Sequence, residues 1–268
     1  MDKPPQRIKI KEIFGAISHN KDKTEILRKK EKSWPKYDSS IQEYYRTFET
    51  TLPQEYQGGV RRYDEEGLKR YIEDNLKREG NGGLVAVEFG GPGSALFEGF
   101  STNFFTRTAG VCLQDIRAES QIETDTRNNH QVIVGDVLNP LSENDILKKV
   151  KIALGKEKID LIVSSIGGPL LSLNLHPAIM DRIVRDWYEM LADNGMMFIE
   201  FTMDSYRQKE MDKIGQVRHW AEKTRKVFPE LGIQIGKGWT NYKDQGTIRI
   251  HKKKGSPEKL LSAAQLFK

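Results

Sequence analysis

A single cysteine, Cys112, in 268 residues excludes any intrachain disulfide. Long apolar runs are missing as well. The longest, such as Leu161 to Val163 and Met196 to Ile199, fall far short of the roughly 20 residues that cross a bilayer, so no membrane span is expected. No apolar segment follows the polar start Met1-Asp2-Lys3-Pro4-Pro5-Gln6-Arg7, which predicts no secretory signal and a cytoplasmic location. The chain has no internal repeat, and no metal site is expected.

What is present is a globular composition: 37% hydrophobic and 30% charged residues, enough to bury a core under a heavily solvated surface. The net charge of +5 is unevenly spread. Basic residues gather at Lys3, Arg7, Lys9, Lys11, Arg28, Lys29, Lys30 and Lys32, and again at Arg207, Lys209, Lys213, Arg218, Lys223, Arg225 and Lys226, ending in Lys252 to Lys254. These clusters make either a face for an anionic partner or a pair of solvated helix faces.

Residues 1–82 read as a helical lead-in, broken at Pro35, Pro53 and Gly58-Gly59, with Leu68, Tyr71, Ile72 and Leu76 at helical spacing. A core, 83–254, then alternates short apolar runs with amphipathic stretches. Strands are expected at 84–89, 110–114, 131–134, 159–164 and 196–201, with helices at 178–191 and 204–228. Asp193-Asn194-Gly195 reads as a helix stop. The runs 233–239 and 247–251, joined by a loop of turn formers, predict a terminal hairpin, and 255–268 is a short docked helix or a frayed tail. The pattern specifies an α/β fold: a doubly wound, mostly parallel seven-stranded sheet with a terminal antiparallel hairpin, preceded by a helical N-terminal extension.

The chemistry concentrates at Val87-Glu88-Phe89-Gly90-Gly91-Pro92-Gly93-Ser94. A strand, tight glycine turn and helix start lets a ligand approach the backbone and offers unpaired helix N–H groups. The preceding carboxylate, Glu88, suits a cationic amino group better than a pyrophosphate. The dinucleotide pattern G-x-G-x-x-G fails, because Leu96 or Pro92 stands where glycine is needed, and no Gly-Lys-Ser or Gly-Lys-Thr follows the turn.

With these features residues 83–254 resemble the class I S-adenosylmethionine-dependent methyltransferases. That family's first motif is an acid followed by alternating glycines; Glu88, Gly90, Gly91 and Gly93 match it with one residue fewer before the last glycine. The resemblance implies S-adenosylmethionine as cofactor, its methionine amino group near Glu88 and its ribose hydroxyls on Asp115, the acid ending strand 2. It implies adenine between Ile116 and the Asp136-Val137 pair, and a contact from Ser164 at the end of strand 4. Taken singly, strand-end aspartates are more often helix caps or turn formers.

The acceptor is less legible. Methyl transfer is an in-line displacement that positioning and desolvation can drive without a dedicated base. The Asn-Pro-Pro-aromatic signature of planar amino-group methyltransferases is absent, and Ser165-Ile166-Gly167-Gly168-Pro169-Leu170 stands in its place. Ser165 and His176 are the nearest polar candidates for a catalytic role. His176 could orient or deprotonate an acceptor hydroxyl, or simply cap the helix that Pro177 starts. Tyr44, Tyr45, Phe48, Tyr56 and Tyr63 either form a lid or pack the lead-in onto the sheet. Three functions stay open: a methyltransferase for a small molecule, the reading favoured by the lack of an RNA-binding module; an RNA methyltransferase using the basic clusters; and a noncatalytic cofactor-binding protein. A nicotinamide oxidoreductase is a distant fourth.

Overall fold

The computed structural model describes residues 41–57, 67–77, 83–101, 103–112, 115, 117–135, 146–164, 177–202, 213–237 and 245–267. Seven strands make one sheet: β1 (Leu84–Phe89), β2 (Phe105–Cys112), β3 (His130–Val134), β4 (Ile159–Ser164), β5 (Leu191–Thr202), β6 (Gly232–Lys237) and β7 (Gln245–His251). Their order is β3-β2-β1-β4-β5-β7-β6. The first five are parallel, and β7 enters antiparallel between β5 and β6. The Rossmann-like sheet with its terminal hairpin is therefore as expected. The chain winds outward from β1 to β3 and then restarts at β4 on the other side of β1. That reversal opens a crevice at the carboxyl ends of β1 and β4, where open α/β sheets bind ligands.

All six residues of β1 are buried, since the central strand is covered on both faces. Val85, Val87 and Phe89 join one core with α5 (Ile146–Leu154), α6 (Pro177–Met190) and α7 (Lys213–Val227), and Phe89 stacks on Trp187 at 4.4 Å. Leu84 and Ala86 join the other with Leu161, Val163, Met196 and Phe198. That second face is covered by α1 (Ile41–Phe48), α2 (Gly67–Asn75) and Leu96 of α3 (Ser94–Glu98). The lead-in aromatics thus pack: Tyr44, Tyr45 and Phe48 are buried, and the Phe48 ring meets Phe198 edge-on at 5.5 Å. Burying one such phenylalanine contributes roughly 1.5–3 kcal/mol. Tyr63 lies outside the described residues.

Two strand boundaries differ most from the pattern. β2 starts five residues early because Phe105, Arg107 and Thr108 pair with β1, and Thr108 also with His130 of β3, although Thr106, Arg107 and Thr108 give no apolar signal. β5 starts at Leu191, which pairs with Ile159 before the register jumps to Leu161 opposite Met196. Asp193-Asn194-Gly195 therefore sits inside a strand as a bulge and does not stop the helix, which ends at Met190. Asn194 takes φ 61° there, and its amide donates to the Lys252 carbonyl.

The C-terminal segment docks. Leu260 enters the first core, and the short α8 (Ala263–Leu266), following α4 (Glu119–Arg127) and the other helices in chain order, meets α6 through the Ala263 amide and Asp181. Lys252 is buried over the Tyr188 ring, 3.3 Å from the Glu258 carboxylate. Among the described residues no helix is long and apolar enough to cross a membrane.

Candidate functional site

The glycine turn lies flat against the sheet. Gly90, at φ 102°, sends its amide to the Val111 carbonyl at 2.8 Å, and Gly91 bridges to the same residue. Gly93, at φ 78°, starts α3 in a left-handed conformation that glycine adopts without penalty. The helix it starts is a single short turn of five residues. The expected helix N-terminus is thus too small to act as a dipole, and the backbone of the turn itself forms the rim. A Cβ on Gly91 would stand 2.6 Å from Glu88 Oε2. The loop, one residue short of the family pattern, closes by stacking its backbone directly on that carboxylate.

Glu88 is 1% exposed at the carboxyl end of β1. Its Oε1 accepts a hydrogen bond from the Tyr44 hydroxyl at 2.6 Å, while Oε2 has no partner among the described residues. Burial pushes its pKa up to about 7, against smaller opposing effects of Tyr44 and the Gly93 backbone. A buried carboxylate with one oxygen unpartnered among the described residues fits a cationic group and would repel a phosphate.

Asp115 stands 28% exposed beyond the end of β2. Its Oδ1 accepts from the Arg117 amide at 3.2 Å and Nε at 2.9 Å, and its Oδ2 from Nη2 at 2.7 Å. The hydrogen bonds of Arg117 hold the Asp115 carboxyl below the ordinary range. The backbone bond is an Asx-type turn, so Asp115 does serve as a turn former. A carboxylate accepts about four hydrogen bonds, which among the described residues leaves Asp115 one acceptor site, on Oδ2, for a ligand hydroxyl.

A brace that sequence reasoning missed lies under both acids. Arg117 Nη1 donates to Asp125 Oδ2 at 2.5 Å, and that carboxylate, 2% exposed, also accepts from the Ser94 hydroxyl at 2.7 Å and the Gln121 amide at 2.8 Å. His130 Nε2 donates to the Pro92 carbonyl at 2.7 Å, which fixes the tautomer because a carbonyl only accepts. Nδ1 then accepts from the Thr108 hydroxyl at 2.7 Å. Burial lowers the His130 pKa and keeps the ring neutral in this role. The only local signal was the Asp-x-Arg spacing of 115 and 117; Tyr44, Asp125 and His130 arrive from remote segments.

Ser164 is buried as the last residue of β4, beside β1. Ile116, Asp136, Val137, Ser165 and His176 lie outside the described residues.

No protein-family model and no curated protein matches the chain. Solved structures do resemble it. An rRNA methylase from Streptococcus thermophilus is 11% identical, with 69% of this chain and 97% of that one aligned at a TM-score of 0.41. A TehB-like SAM-dependent methyltransferase from Corynebacterium glutamicum is 14% identical over 88% and 99%, at 0.40. Spermidine synthase from Thermotoga maritima is 12% identical over 70% and 58%, also at 0.40. What the crevice of this chain holds rests on its own residues.

Proposed function

We propose that this chain is an S-adenosylmethionine-dependent methyltransferase acting on a small-molecule acceptor. The observation that carries the reading is Glu88: a buried carboxylate with one oxygen unpartnered among the described residues, under a glycine turn at the switch point of the sheet. In this reading Glu88 takes the methionine amino group and the backbone at Gly90, Gly91 and Gly93 lies along the methionine. Asp115 accepts one ribose hydroxyl, and Ile116, Asp136 and Val137 hold the adenine. When bound, the cofactor supplies a methyl group on a sulfonium, open to in-line displacement. The chain's part is to orient the acceptor and exclude water, with Ser165 and His176 as the candidates for that role and Ser164 as a cofactor contact.

The small acceptor is favoured by the lead-in, residues 1–82, as cover over the core of residues 83–254, with 255–268 as a tail. Tyr44 of α1 reaches the cofactor acid itself, which suits an enclosed site. Titration calorimetry should give binding of S-adenosylhomocysteine and none of NADH, with Asp115→Ala lowering affinity at least tenfold. Binding of neither ligand would overturn the methyltransferase reading. Tight, steeply salt-dependent binding of bulk RNA would move the acceptor to RNA.

Glu88 makes a second prediction. A cationic group beside Oε2 favours the ionised carboxylate, so cofactor binding at pH 6.5 should expel up to roughly three quarters of a proton from Glu88. Binding enthalpies measured in two buffers of different ionisation enthalpy should therefore differ, and the difference should vanish in Glu88→Gln. In the ligand-free protein the raised pKa works in the opposite sense. Its contribution to stability is complete below the unfolded value near 4.5 and is lost as pH rises through about 7. Equal enthalpies in both buffers would remove Glu88 from the amino-group site.

A further inference from the structure

Tyr44 is brought 44 residues back along the chain to the acid at the end of β1. Its helix does not need the hydroxyl in order to dock. Phe48 anchors α1 against Phe198, and Tyr45 is tied separately to the Glu49 carboxylate at 3.0 Å and the Tyr56 carbonyl at 3.4 Å. Phenylalanine at position 44 would keep the ring in the same apolar core, which includes Leu84, Ala86 and Val163. A phenolic hydroxyl carried into such a core costs free energy unless it is bonded, and here its bond is to Glu88.

Building on the cofactor reading above, we infer that Tyr44 is a positioning residue of the methyl-donor site, fixing the Glu88 carboxylate by Oε1 and coupling the docking of α1 to cofactor binding. The carboxylate is held at two points. The Tyr44 hydroxyl fixes Oε1, and the backbone of Gly91 closes over the group so tightly that a Cβ would stand 2.6–2.8 Å from its atoms. Its rotamer is set before a ligand arrives, and Oε2 is the oxygen left to meet it. The coupling is reciprocal: the factor by which docked α1 raises cofactor affinity is the factor by which bound cofactor favours the docking of α1.

The proposal has a pH signature, because a hydroxyl that donates to a carboxylate favours its ionised form. Among the described residues, the titratable side chain against Glu88 is Tyr44 of α1. The residues paired with Glu88 on the flanking strands, Gly110 of β2 and Val163 of β4, do not titrate, and the turn contributes only backbone. Removing the hydroxyl should therefore let Glu88 keep its proton to higher pH.

The test uses infrared spectroscopy of the full chain. The carbonyl stretch of protonated Glu88 is assigned by its loss in Glu88→Gln and followed against pH without cofactor. Tyr44→Phe should raise the midpoint by roughly one pH unit, the size expected for losing a hydrogen bond to a charged group. Apparent affinity follows the ionised fraction, so S-adenosylhomocysteine binding should weaken about fivefold at pH 7 and recover near pH 9. Tyr45→Phe, on the same helix, should leave both unchanged. Incorporating 3-fluorotyrosine at position 44, a stronger donor of nearly the same shape, should move the midpoint down and serves if Tyr44→Phe folds poorly. An unmoved midpoint, or an affinity loss equal at every pH, overturns the role of Tyr44. Failure of the parent protein to bind S-adenosylhomocysteine at any pH overturns the cofactor reading instead, and the infrared midpoints still decide whether Tyr44 governs Glu88.

Discussion

Gly110→Ala is expected to cost more stability than any other single methyl group added to this sheet. A Cβ at Gly110 would stand 1.9 Å from the Pro92 carbonyl oxygen and 2.2 Å from its carbon. Both are backbone atoms and cannot rotate aside. To make room, the turn must lift from β2, which breaks the Gly90 to Val111 hydrogen bond and the His130 contact to Pro92. Overpacking of an ordinary core costs about 1–3 kcal/mol, and the rigidity on both sides puts this substitution at or beyond the upper end. In a chain of this size that corresponds to a fall in Tm of roughly 6–12 °C. Binding of S-adenosylhomocysteine should fall at least 100-fold, because the lifted turn is the rim of the site. A variant that melts within about 2 °C of the parent and binds normally would show that the turn does not rest on β2 as described.

Arg117→Met is expected to be nearly as damaging, for an electrostatic reason. Arg117 is the cation shared by Asp115 and Asp125, and Asp125 is almost wholly buried. Removing one partner of a buried ion pair costs about 3–5 kcal/mol, since the remaining charge is left desolvated. The Ser94 hydroxyl and Gln121 amide still serve Asp125, which places this case toward the lower figure. The double variant Arg117→Met, Asp125→Asn should recover more than half of the loss in urea unfolding, because the orphaned charge is gone. No recovery would mean that the arginine acts through its packing. The acid side carries a further signature. Arg117 lowers the Asp115 pKa, so the stability from this pair is present above the ordinary aspartate value, near 3.9, and is lost as pH falls through the lower folded value. In Arg117→Met that acid-dependent loss should shrink.

Both substitutions act on contacts that local sequence describes unevenly. β1 and β4 were legible to the residue because each is a short apolar run buried on both faces, and a glycine turn ends β1. β2 was legible only in its buried half. Its polar start is a strand because Leu84 and its neighbours pair with it, which no property of Thr106 or Arg107 announces. Asn194 was read correctly as a turn former but in the wrong setting, since the same left-handed residue serves a helix end or a strand bulge and the partner at Lys252 decides between them.

The site divides in the same way. Glu88 and the glycine turn stand out because acid, glycines and helix start are adjacent in the chain. The groups that govern them are 31 residues away for Ser94 and Asp125, 38 for Pro92 and His130, and 44 for Tyr44 and Glu88.

The sequence by itself determined the succession of strands along the chain, a mostly parallel sheet closed by an antiparallel hairpin, and the presence of an acid beside a glycine turn. These follow from alternation, turn chemistry and chain connectivity, all of them local. Only the tertiary structure decided what the acids can do: Glu88 is desolvated with one oxygen held by Tyr44, and Asp115 is three-quarters satisfied by Arg117. Burial and hydrogen-bond saturation set the charge and the free valence of a carboxylate, and both depend on groups that meet only when distant segments pack.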